Sequence, residues 1–164
     1  MSGCKCEEHR QSAYSPCTVN ASEEIVYCLI DPDLMDKGTG ELKKKAFSKS
    51  VLSKTDLSVV RAEYSSEAQV WDCVVTPQLK TNPARTFCGV LIAQASDIRG
   101  IADCTMQDVC VADAGLENFA AHAHLGFSSE VASSNKSVQV AVRANLIDVF
   151  NRRGGPISLT SAFT

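Results

Sequence analysis

The chain has 164 residues, of which 45% are hydrophobic, 21% charged and 6% aromatic, a balance that suits one soluble domain with a core of its own. Sixteen basic side chains against nineteen acidic ones give a formal net charge of −3, which excludes a generally cationic surface and disfavours broad nucleic-acid binding. No stretch reaches the roughly 18 apolar residues of a membrane span, and polar Met1–Gln11 lacks an apolar signal core, so the expected setting is cytoplasmic and away from membranes.

Residues 1–22 form a cysteine-rich N-terminal tail ahead of an α+β domain at 23–153, with a second tail at 154–164. Cys4, Cys6, His9 and Cys17 offer three thiols and one imidazole, a complete tetrahedral donor set for Zn2+ in a segment with few aliphatic residues to order it otherwise. Only Lys5 separates Cys4 from Cys6, tighter than the usual two-residue zinc turn, and the competing expectation is a solvated tail with inert thiols. Cys28, Cys73, Cys88, Cys104 and Cys110 lie in or beside apolar runs, where free cysteine acts as a small hydrophobe.

Glu23–Ile30 is a short apolar run rich in β-branched and aromatic residues, and it predicts a buried strand closed by Asp31-Pro32. The glycines at 38 and 40 predict a loop, and Lys43, Lys44 and Lys45 read as a solvated face. Alternation over Asp56–Ala62 predicts a second strand. Ser66 with Gln69 three positions on is a capping-box pattern, which starts a helix over 67–75 that Pro77 should stop. A linker at 78–85 leads to a central strand at 87–93, then a short helix at 97–102 with Ser96 as its cap. Two more strands are expected at 108–113 and 119–127. Val138, Val142, Leu146, Val149 and Phe150 share one helical face, and Gly154-Gly155-Pro156 ends that helix before a loose tail. The pattern is a single α+β domain: a mixed, mostly antiparallel sheet with two or three short helices and a C-terminal helix.

His122 and His124 are two apart, so on an extended chain they point to one face and can share metal binding or proton transfer. Their partners could come from Asp103, Asp113, Glu117, Asn118 or Arg61; the plainer reading packs one imidazole in the sheet and leaves the other at the surface. No Walker loop, Gly-x-Gly-x-x-Gly, Gly-x-Ser-x-Gly or Cys-x-x-Cys pattern occurs.

The ordered landmarks Val26-Tyr27 through Asp31-Pro32, Lys45-Ala46-Phe47, Asp56-Leu57-Ser58-Val59, Gly89-Val90-Leu91 and Asn118 to His122-Ala123 resemble a group of small uncharacterised bacterial proteins, over about residues 24–127. That group commonly has arginine after the early tyrosine, where this chain has Cys28, and proline after the asparagine, where it has Phe119. The resemblance implies an accessory product of a multigene bacterial cassette. The missing catalytic signatures lead to the expectation of a non-catalytic protein-binding module with a protein partner, in a defence or toxin-type system. Its rival is a transferase-like enzyme in which Tyr27, Arg61 and His122 or His124 line a cleft for a nucleotide such as NAD.

Overall fold

Alternation along β1 (Glu24–Leu29) buries Ile25 and Leu29 on one side of the chain and Val26 and Cys28 on the other. A strand apolar on both faces needs cover on both, and the computed structural model, which describes residues 8–164, supplies it. In chain order follow α1 (Lys49–Ser53), β2 (Leu57–Arg61), α2 (Glu67–Val70), a wider π-type turn over Trp71–Val75, and α3 (Thr76–Thr81). Then come β3 (Gly89–Gln94), α4 (Ala95–Arg99), β4 (Val109–Asp113), β5 (His122–Phe127), α5 (Ser129–Ala132), α6 (Lys136–Asn151) and α7 (Leu159–Ala162). The strands form one sheet in the order β3-β1-β2-β5-β4, with every neighbouring pair antiparallel. The expected α+β class holds, and among the described residues the sheet is wholly antiparallel rather than mixed.

Helices α1, α4, α5 and α6 cover the first face, where Leu29, Val59, Leu125, Phe127, Leu146 and Phe150 are almost fully buried. Burial of each such side chain contributes about 1.5–3 kcal/mol. The longest helix, α6, starts where the Asn135 side chain accepts from the Val138 N–H, and it turns Val142, Leu146 and Phe150 inward at helical spacing. The rod from α2 to α3, together with α7, packs on the second face over Val26 of β1, Val60 of β2 and Val90 and Ile92 of β3.

Three local expectations change. The Ser66–Gln69 capping box is present, but Pro77 does not stop the helix. It lies in the first turn of α3, just after the π-type turn, where its missing N–H costs little. Helix α4 starts earlier than expected, capped at Gln94 without a side-chain bond, and Ser96 lies inside it. The C-terminal stretch is folded: Ile157 bridges Val90, the Ser158 side chain accepts from the Ser161 N–H, and Leu159 is buried.

Arg61 is the largest fully buried side chain. Its Nε donates to Glu23 Oε2 at 2.8 Å and its Nη2 to Glu23 Oε1 at 2.7 Å, a two-pronged ion pair. Nη1 reaches Asp113 Oδ1 at 3.3 Å and the Cys17 carbonyl at 2.8 Å, Nη2 the Thr18 carbonyl at 3.1 Å, and the guanidinium lies 4.4 Å from the centre of the Tyr64 ring. Asp113 also accepts from the Ser15 hydroxyl at 2.6 Å and the Ser12 N–H at 2.7 Å. One cation thus ties the start of β1, the end of β2, the end of β4 and the segment 12–18 together. Replacing Arg61 with Met strands two buried carboxylates without a counter-charge, and we expect a loss of about 3–5 kcal/mol in urea unfolding. A loss below about 1 kcal/mol would show that the pair adds nothing beyond a surface bridge.

Candidate functional site at the forked sheet

Strand β1 runs beside β3 for six residue pairs and β2 beside β5 for four, yet β1 and β2 pair only at Ile25 with Arg61 and Val26 with Val60. Past Val26 the ladder does not continue to Cys28 and Ser58, and the sheet forks. Arg61 donates its N–H to Ala121 on the β5 side, so alternation turns the backbone groups of Val60 and Ser58 toward β1. A cleft of about 270 Å3 occupies the fork, lined by Tyr27, Cys28, Leu57, Ser58 and Val74, with Ile30, Asp31, Leu34, Gln78 and Arg85 around it. A small space of about 20 Å3 beside it is bounded by Cys28, Ser58, Val74 and His122. Arg85 donates to the Gln78 side-chain oxygen at the mouth.

Ser58 and His122 meet across β2 and β5. The Ser58 Oγ lies 3.2 Å from His122 Nε2, and His122 Nδ1 lies 2.9 Å from the Ala114 carbonyl oxygen. A carbonyl can only accept, so in the neutral ring Nδ1 carries the proton and Nε2 is left to accept from the Ser58 hydroxyl. His124 stands directly opposite Ser58 in the ladder, its ring edge-on to that of His122 at 4.7 Å between centroids. Burial holds the His124 pKa below its ordinary value; the neighbouring His122 pushes the same way and Asp56 partly opposes them.

Tyr27 and Cys28 stay neutral in the cleft. Burial, with smaller contributions from Cys28 and Asp31, pushes the Tyr27 hydroxyl up to about 12. Its ring packs edge-on against Phe47, with centroids 4.8 Å apart. Burial also pushes the Cys28 thiol up to about 12, so it is not a thiolate at neutral pH.

Of the residues singled out from the sequence, Tyr27 and His122 reach the fork. His124 lies beside His122 on the second face, and Arg61 lies at the closed end with its guanidinium committed to the ion cluster. The four do not share one cleft. Of the proposed zinc set, Cys4 and Cys6 lie outside the described residues and His9 is exposed. Cys17 Sγ sits 3.1 Å from the Tyr64 hydroxyl and 3.3 Å from Arg61 Nη2. Among the described residues no three His, Cys, Asp or Glu side chains gather as a metal site. Cys104 is exposed rather than packed, and Cys110 is disulfide-bonded, which overturns its reading as a free apolar filler. Ser58 was missed, although the alternation of Leu57-Ser58-Val59 already placed it opposite the buried face. What the sequence could not supply was the register that sets it beside His122.

No family model matches the chain, and neither a curated protein nor a solved structure was found to be similar to it. No described helix is long and apolar enough to cross a membrane. The His124 geometry has a measurable consequence. Its folded pKa lies below the ordinary 6.5, so its contribution to stability is present at pH 7 and is lost as pH falls from about 6.5 through the folded value. An NMR titration of the His124 ring should give a midpoint below 6.5, and His122→Gln should raise it part of the way. A midpoint at or above 6.5 would contradict the placement.

Proposed function

We propose that the chain is a protein-binding module that receives an extended segment of its partner in the fork between β1 and β2. The fork itself carries this reading: a strand ladder ends there with backbone groups turned into the gap, beside an apolar wall of Ile30, Leu34, Leu57 and Val74. Polar Asp31, Gln78 and Arg85 stand near that wall to orient a peptide.

The outer edges of the sheet are occupied at Val90 on β3 and along Val109–Val111 on β4, which favours the fork as the entry. On β3, Val90 and Ile157 exchange backbone bonds of 2.8 and 3.0 Å. On β4, Glu8 accepts from the Val111 N–H at 2.7 Å, Arg99 donates to the Val111 carbonyl at 3.2 Å and Gln107 to the Val109 carbonyl at 3.0 Å. Edges closed by side chains resist strand addition. Tyr27, Leu57-Ser58 and His122, which come from three of the landmarks behind the bacterial resemblance, border this one place. A shared contact site in an accessory protein would account for that convergence. A nucleotide-binding transferase built on Tyr27, Arg61 and the histidines would need them in one cleft, and Arg61 is at the far end of β2.

The test selects peptides from a random library on the full chain and titrates the enriched sequence against purified wild type and Val74→Trp. Filling the fork should weaken binding at least about tenfold, or about 1.4 kcal/mol. Failure to enrich any peptide, or equal affinity for the two proteins, would contradict the proposal.

A further inference from the structure

The fork holds more than a recognition surface, because a hydroxyl and a base stand in contact at its edge. We propose that Ser58 is a nucleophile toward esters or thioesters with a short apolar acyl group, with His122 as its general base. This goes beyond partner binding and does not require it.

Three observations carry the assignment. Ser58 Oγ and His122 Nε2 are 3.2 Å apart, within reach for proton transfer. The Ala114 carbonyl, 2.9 Å from Nδ1, fixes the ring orientation and the tautomer that leaves Nε2 free to accept, the role a carboxylate fills in a catalytic triad. Ser58 is exposed and borders the 270 Å3 cleft, whose Leu34, Leu57 and Val74 can take an apolar acyl chain. The Gln78 oxygen is occupied by Arg85, so its amide N–H groups remain as donors in the same cleft for a carbonyl oxygen gaining charge. Cys28 is the competing nucleophile at the fork, but it is nearly buried and stays protonated.

In the forward step His122 Nε2 takes the Ser58 proton as Oγ bonds to the acyl carbon and the carbonyl electron pair moves to oxygen. Collapse breaks the bond to the leaving group, which departs with the proton from His122. Water then attacks the acyl-Ser58 ester, again losing a proton to His122; the carbon–Oγ bond breaks and Ser58 regains a proton. The net change is hydrolysis of the ester to a carboxylic acid and an alcohol or thiol.

A fluorophosphonate probe tests the first half directly, since Oγ displaces fluoride and the adduct is read by intact mass and peptide mapping on the full chain. We expect one adduct on Ser58, none in Ser58→Ala, and a rate at least about 100-fold lower in His122→Gln, which keeps a donor for Ala114. As a check that needs no change at His122, Ser58→Cys should react with iodoacetamide at least about tenfold faster than exposed Cys104 in the same molecule. Absence of the Ser58 adduct, labelling spread over many serines, or an unchanged rate in His122→Gln would overturn the assignment. Labelling of Ser58 in a chain that binds no peptide would uphold it while removing the partner proposal.

Discussion

The buried guanidinium of Arg61 is the interaction on which the arrangement of this sheet depends. An unpaired charge in a protein interior is too costly to retain, so its burial requires Glu23 and Asp113 to come to it, and with them the start of β1 and the end of β4. The remaining N–H groups draw in the carbonyls of Cys17 and Thr18, which fastens the segment before β1 across the sheet. Hydrophobic burial supplies most of the free energy of folding, but it is indifferent to register. A two-pronged ion pair is not, and it fixes Ile25 opposite Arg61.

Closure at that end lets the strands separate at the other. β1 follows β3 and β2 follows β5 for the rest of their lengths, and the right-handed twist of neighbouring strands widens the unpaired gap between them. The π-type turn at Trp71–Val75 sets Val74 against the opening. Irregular helical turns of this kind often accompany functional sites because they redirect a side chain that a regular helix would place elsewhere. The second face is thus divided. Part of it is an apolar core under the α2–α3 rod and α7, and beside that core stand the Ser58 hydroxyl and the two imidazoles of β5.

Most of the scaffold could be read from short-range chemistry. All five strands were found, because β-branched runs bounded by turn residues are strong signals, and the helix cap at Ser66 was recognised from two side chains. The differences have separate causes: Pro77 falls in the first turn of α3, where its missing N–H is harmless, Ala95 and Ser96 donate their N–H groups to the Glu23 and Ala21 carbonyls, and α7 is held by the burial of Leu159. The site was half legible. Tyr27 and His122 were singled out, but no pattern along the chain encodes where a ladder stops, and so Ser58 and the fork went unseen. Arg61 is a candidate for chemistry in the sequence, and its place in the ion cluster was not legible there, since its partners Glu23 and Asp113 lie 38 and 52 positions away.

The sheet is locked at its Arg61 end and open at its Ser58 end. Amide hydrogen exchange, resolved by residue, tests it most directly. Val26 and Val60 form the closed ladder and should exchange only through global unfolding, while Cys28 and Ser58, whose N–H groups face the fork, should exchange much faster through local opening. Equal protection of all four amides would mean that β1 and β2 are zipped along their whole length, and the fork would not exist in solution.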